Sequence, residues 1–275
     1  MLRKWILCFL FLFAAMIPAA YAEHMEVLFW NAGKADACLI RTENSTVLID
    51  AGKNKFGKQI VSYLQENGID RIDAFFVTHF DKDHVGGADQ ILENISVDRV
   101  YEPAYQSDSK QYIQYKEALE GADVSAEILA QNTSFVLDGV SYEIDVANRS
   151  FYGEDEENDF SLVISVRYGE HRFLFAGDAE NPRLSELLSE GIGRYDVFKV
   201  PHHGRAEKLS ASFFDAVQPE YAIITSDEDD LEEAAVVNAL QRYGQVYLTR
   251  LGDVKCITDG HTIQMIQQKG GKGHE

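Results

Sequence analysis

Residues 78–87 read THFDKDHVGG, which puts His79, Asp81, Asp83 and His84 into six positions ahead of the glycine pair Gly86–Gly87. The preceding run, IDAFFVTHF (72–80), is apolar almost throughout and reads as a fully buried strand. It delivers His79 at its C-terminal end, where the chain is free to curl. His79 and Asp81 are two apart and share a direction, while Asp83 and His84 are adjacent and diverge. One loop can thus serve two metal ions, as two-metal hydrolases require. The glycines let the backbone turn away tightly into the next helix.

Working outward, the N-terminal part reads as strands at 25–30, 37–42 and 46–52, then a helix at 58–68 that ends on a glycine. A short helix (88–94) and a strand (97–102) follow the ligand loop, and residues 108–121 read as a helix. Strands are expected at 125–129, 134–137 and 141–147, then an acidic loop (153–159) and a hairpin, SLVISVRY (161–168) with RFLFAGD (172–178). A helix near 180–190, the strand YDVFKVPHHG (195–204), strand 221–226, helix 230–243 and strands 245–249, 254–259 and 262–267 complete the pattern. No repeat or linker divides it, and the metal-type residues fall at strand ends. The expectation is a single α/β domain with its site on one rim of its sheets.

Two downstream strand ends carry further candidates. FLFAGD ends on Asp178, which reads as a ligand or as the cap of the following helix. FKVPHHG ends on His202 and His203. Adjacent histidines seldom ligate one centre together, so one is a ligand and the other lines the pocket; His202 is the favoured ligand.

At the N-terminus, Arg3 and Lys4 precede the apolar run WILCFLFLFAAMIP, and AAYA ends at Ala22 with small residues at −3 and −1. This is the pattern of a cleaved secretory signal over residues 1–22, with an uncleaved N-terminal membrane anchor as the alternative. The expected domain is 23–268, with a frayed tail at 269–275 and no membrane span in the mature chain. Without Arg3 and Lys4, 23 of the 25 basic residues stand against 45 acidic ones. Such a surface has no general affinity for nucleic acid, so any phosphate must be met locally by metal or by a few placed cations. Cys38 and Cys256 lie in strand-like apolar contexts and read as buried free thiols rather than a disulfide.

LIDAG (48–52), THFDKDHVGG (78–87), FAGDAE (175–180) and KVPHHG (199–204) together resemble the metallo-β-lactamase superfamily, in its order and spacing. More narrowly, the chain is similar to the hydrolase domain of the DNA-uptake competence proteins, the ComEC-like branch. That branch uses H-x-D-x-D-H in place of H-x-H-x-D-H. Its other motifs correspond here to NAGKAD (31–36), NDFSLV (158–163) and HHGR (202–205). The resemblance implies an αββα sandwich. It implies one metal held by His79, Asp81 and His202 and a second by Asp83 and His84, with Asp178 bridging and Asp50 bracing the ligand loop. Where the superfamily carries a middle histidine, Asn158 or Ser161 stands nearby. Lys34 and Arg205 fall where the resemblance places the pocket mouth, either as phosphate-binding cations or as plain surface charges. An N-x-x-x-H-P segment of the branch is replaced by acidic DEDDLEEAA (227–235).

Three histidines and three carboxylates against two divalent ions make a site close to neutral once a bridging hydroxide is counted. Zinc is the default metal, and Asp81 tilts the preference toward manganese as well. The expected activity is hydrolysis of a phosphoester, in a small molecule or an oligonucleotide, by a metal-bridging hydroxide. Asp83 and His203 are the catalytic candidates, and His203 either protonates a leaving group or orients a ligand. The alternatives are lactone or β-lactam hydrolysis, and a metal-retaining module without turnover. Tyr101, Tyr105, Tyr112 and Tyr115 read as packing more readily than as an aromatic rim. His24, His171, His261 and His274 read as surface residues.

Overall fold

A computed structural model describes residues 24–153 and 157–268. The expected signal segment and tail lie outside the described residues.

Two sheets stack face to face. The first has eight strands, in the order Ile263–Gln267, Val254–Thr258, Met25–Phe29, Cys38–Arg41, Thr46–Ile49, Ala74–Phe76, Val100–Pro103 and Ala126–Leu129. The second has seven: Gln245–Leu248, Tyr221–Ile224, Val197–Lys199, His171–Phe175, Val163–Tyr168, Val140–Asp145 and Thr133–Leu137. The period-two alternation of a strand decides which core each residue enters. In His171–Phe175, Phe173 and Phe175 point between the sheets and Leu174 points outward beneath helices. The inner core joins Val27, Phe29, Ile49 and Phe76 of the first sheet to Tyr142, Ile164, Phe173 and Phe175 of the second. Phe29 and Phe175 stack across it with ring centroids 5.8 Å apart.

Helices cover both outer faces, so the layers run α, β, β, α. Asn54–Glu66, Ala88–Asn94 and Lys110–Gly121 bury Ile60, Leu64, Ile91 and Tyr115 against the first sheet. Asn181–Glu190, Ser210–Val217 and Ala234–Leu240 bury Leu184, Leu187, Phe213 and Leu240 against the second. Ser109 caps the third of these helices through its hydroxyl, which accepts from the Tyr112 amide at 3.2 Å.

Several elements differ from expectation. Helix Ser210–Val217 was not anticipated. The long strand expected at 72–80 joins the first sheet only over Ala74–Phe76, with Ile72 pairing Val97 in a separate two-stranded ribbon, and the one expected at 195–204 pairs only over Val197–Lys199. Both leave their sheets early because their ends serve the site. The acidic stretch 227–233 is loop, and the helix there begins at Ala234. Cys38 and Cys256 are buried free thiols. Burial pushes the Cys256 thiol up to about 12.

Candidate metal centre

The ligand loop starts where Ala74–Phe76 leaves the first sheet. The Thr78 amide donates to Asp50 Oδ1 (2.8 Å) and the Thr78 hydroxyl to Asp50 Oδ2 (2.7 Å). Asp50 Oδ2 also meets His84 Nδ1 at 2.8 Å. One wholly buried carboxylate therefore holds both ends of the 79–84 loop, at the cost of a left-handed backbone at Asp50 (φ 58°). Gly87 is needed for closeness: a Cβ there would sit 2.4 Å from the Ala51 carbonyl oxygen. That contact seats the loop on the turn that carries Asp50.

The second sheet supplies the opposite wall. After His171–Phe175, Gly177 (φ 51°) lets the chain pass so close to Ser161 that a Cβ would lie 2.7 Å from the serine side chain. The Ser161 hydroxyl accepts from the Asp178 amide at 3.1 Å and so aims that carboxylate inward. Pro201–Gly204 forms a tight turn in which His202 (φ 49°) and His203 (φ 52°) are both left-handed.

These elements converge on Asp178. Its Oδ1 lies 3.2 Å from His84 Nε2, and its Oδ2 lies 3.1 Å from His203 Nε2. His79, His84 and Asp178 bring ligand atoms within 4.8 Å of one another. Asp81 Oδ2 stands 3.9 Å from His79 Nε2, and Asp83 Oδ2 stands 3.5 Å from His203 Nε2. The rings of His79 and His84 are 4.0 Å apart, and those of His84 and His203 5.3 Å apart.

The adjacent histidines divide differently from expectation. His203 faces Asp178 and Asp83, whereas His202 Nδ1 turns to Glu180 Oε1 (3.3 Å) and Glu207 Oε1 (3.8 Å). The two rings face different carboxylates, with their centroids 6.5 Å apart. The other predicted contact residues also have different surroundings. Ser161 is fully buried behind Asp178, and the Asn158 amide donates to Glu180 Oε1 at 2.8 Å. The Lys34 ammonium is paired with Asp230 at 2.6 Å, while Arg205 is exposed.

The tyrosines pack. Tyr115 donates to Glu102 at 2.8 Å, Tyr101 stacks on Phe76 at 4.9 Å, and Tyr105 and Tyr112 hold Phe80 between them. His24 and His261 are exposed, whereas His171 is half-buried 3.6 Å from Asp196. His274 lies outside the described residues.

Sequence reasoning passed over three residues beside the centre. Asp36, Lys199 and Thr225 are all buried. Lys199 Nζ pairs with Asp36 and donates to the Gly177 carbonyl at 3.1 Å. Thr225 donates to Asp36 Oδ1 at 2.6 Å, and its carbonyl accepts from His203 Nδ1 at 3.0 Å. A lysine inside the apolar run VFKVP was the available signal, because a buried charge demands a partner. Removing one member of such a pair costs about 3–5 kcal/mol.

The charges are strongly coupled. Burial pushes the His79 pKa down, and the neighbouring His84 adds to that. Burial also works against a charged His84, but Asp178, Asp50 and Asp36 outweigh it and hold its pKa up. Asp83 is lowered despite burial, through the close approach of His203 and the charges of His84 and His203. Asp81 moves the other way, raised to about 7 by burial and by the Glu157 carboxyl against it.

The donor set fits divalent metal. His79 Nε2, His84 Nε2, His203 Nε2 and Asp178 Oδ1 are buried with no hydrogen-bond partner. Unsatisfied buried polar atoms are costly, and the three on His79, His84 and Asp178, within 4.8 Å of one another, are an arrangement a cation relieves. Contacts at Nδ1, Asp50 for His84 and Thr225 for His203, favour a proton on that nitrogen and leave the Nε2 lone pair inward.

Comparison with known proteins identifies the family. The family model for the metallo-β-lactamase superfamily matches residues 30–225. Competence protein ComA of Neisseria gonorrhoeae is 29% identical over 231 residues, covering 82% of this chain and 30% of the relative. ComE operon protein 3 of Bacillus subtilis is 24% identical over 260 residues, covering 86% and 33%. The chain thus spans about a third of the length of these curated relatives. Among solved structures, the metallo-β-lactamase fold protein YhfI of Bacillus subtilis aligns with TM-score 0.58 at 8% identity, covering 84% of this chain and 99% of that one. CmlA, a diiron β-hydroxylase from Streptomyces venezuelae, aligns with TM-score 0.51 at 14% identity, covering 90% and 54%. At such identities these structures speak to the fold alone.

Proposed function

The chain belongs to the metallo-β-lactamase superfamily, and from that premise we propose that it is an extracytoplasmic binuclear metal-dependent hydrolase acting on a small phosphoester. The observation that carries the metal reading is that His79, His84 and His203 Nε2 and Asp178 Oδ1, grouped around Asp178, are all buried without a hydrogen-bond partner. His79 and Asp81 would hold one ion. Asp83, His84 and His203 would hold the other, and Asp178 stands between. Zinc or manganese bound there would acidify a water and polarise the attacked group. His203 takes the ligand role first given to His202. Asp50 and Thr225 fix ring orientation, and Ser161 holds Asp178 inward.

The rim supports a small substrate over a long polyanion. Asp227 accepts from the Lys34 amide (3.1 Å), Asp230 takes the Lys34 ammonium, and Glu233 accepts from the Ala206 amide (3.1 Å). The acidic loop thus packs on both motif segments at the mouth, NAGKAD and HHGR. A nucleic-acid backbone would meet carboxylates there before it met metal. Competence and recombination names among the relatives motivate testing DNA all the same. Among the described residues, no helix is long and apolar enough to cross a membrane.

The test is to count metal per chain and to assay the zinc and manganese forms on bis-p-nitrophenyl phosphate, single-stranded DNA, a lactone and nitrocefin. Two ions and phosphodiester turnover are expected. Turnover of nitrocefin or lactone alone would replace the substrate class. Two bound ions with no turnover would favour a metal-retaining binding module.

A further inference from the structure

The metal reading uses the Nε2 face of His84 and His203, but both rings also share a pocket on their Nδ1 face. Asp36 lies there, 3.8 Å from His84 Nδ1 and 3.4 Å from His203 Nδ1. One ligand atom from each of these three buried residues falls within 4.8 Å of the others, a spacing that would itself accept a cation. Lys199 already supplies one. Its ammonium pairs with Asp36, donates to the Gly177 carbonyl, and lies 3.7 Å from Asp178 Oδ1.

We propose that Lys199 is a positioning residue of the metal centre. Its ammonium, held by Asp36, takes the place of a cation on the Nδ1 side of His84 and His203, confines divalent metal to the Nε2 side, and steadies Asp178 between the rings. The proposal rests on the metal-centre reading above. An ammonium suits the task because it offers three donors and no lone pair, so it neutralises Asp36 without competing as a ligand. The pair also ties the two walls together. Lys199 comes from the second sheet, and Asp36 precedes strand Cys38–Arg41 of the first. The Asp36 amide donates to the Asp83 carbonyl at 3.0 Å, and its carbonyl accepts from the Gly52 amide at 2.8 Å. One residue therefore contacts the ligand loop, the turn after Asp50, and, through Thr225, the ring of His203.

Cobalt(II) is the probe, titrated into the metal-free full chain and followed by visible absorption, with near-ultraviolet circular dichroism to check the fold. The wild-type chain should take up two equivalents. In K199M the second equivalent should bind about 10–100-fold more weakly, the cost typical of losing a residue that orients ligands, and the band shape should change. K199R, which keeps the charge, should return the band toward wild type. T225V removes only the hydroxyl between Asp36 and His203 and should shift the band in the same sense as K199M. A folded K199M with wild-type affinity and band overturns the proposal. If K199M does not fold, an unshifted T225V band overturns it instead. A wild-type chain that takes up no cobalt overturns the metal-centre reading itself, and the proposal with it.

Discussion

At the floor of the site, three imidazoles and a carboxylate keep buried atoms without hydrogen-bond partners; at its rim, Lys34 and Arg250 are paired off. His79, His84 and His203 are held from behind by Thr78, Asp50 and Thr225, and their Nε2 atoms are left over. On the rim, Lys34 is spent on Asp230, and Arg250 on Glu228 and Glu232. The floor is organised to receive positive charge. Of the rim's cations, Lys34 and Arg250 are already paired with carboxylates of the acidic loop. Under the proposed function, metal binding and substrate choice would reside in separate layers, and a change in one need not disturb the other.

The largest effect expected from breaking this division is at Asp178, where both rings meet. Asp178→Ala should remove at least one metal equivalent and lower metal-dependent turnover at least about 100-fold, measured by metal analysis and phosphodiester assay. The two histidines of the tight turn sharpen the contrast. His203→Ala should lose a metal equivalent, whereas His202→Ala, altering a ring that faces Glu180 and Glu207, should keep both. Equal losses in the two variants would erase the boundary between floor and rim. Asp50→Asn should weaken metal affinity about 10–100-fold while leaving the ligands in place, read by competition with a chelating dye.

How much of this was legible in the sequence follows from where the partners lie. Runs such as FLFAGD and FKVPHHG declare a buried strand and its terminal ligand within a few residues, so the sheets and most of the candidate ligands could be read locally. Helix Ser210–Val217 could not, because it has neither a capping side chain nor an acidic residue in its first turn to mark its start. Asp36 and Thr225 each look ordinary alone, and Lys199, though conspicuous in an apolar run, does not reveal which distant carboxylate it pairs with. The choice between His202 and His203 depends on two left-handed residues, and nothing in PHHG announces those torsions.

Smaller effects test the structure just outside the centre. Asp159 accepts from the Glu180 and Arg183 amides at the start of helix Asn181–Glu190, and burial raises its pKa from 3.8 to about 6. A carboxyl that holds its proton more tightly when folded stabilises the chain fully below about pH 4, and that contribution is lost as pH rises through about 6. Asp159→Asn should therefore flatten the fall of the thermal midpoint between those values in the metal-free chain. The smallest change is expected at the rim: Lys34→Ala should cost less than about 1 kcal/mol of stability, read by urea denaturation, with metal uptake unchanged.

The hydrogen bond from Thr225 to Asp36 spans 189 residues, and strand Val254–Thr258 closes the first sheet beside strand Met25–Phe29. During synthesis the 79–84 loop emerges long before Lys199, His203 and Thr225 exist to complete it. Contacts of such long sequence separation form late, after the loop entropy between them has been lost. An ion would therefore be held only once both walls have folded, and a half-folded chain would carry a ligand loop with no second wall to close over it.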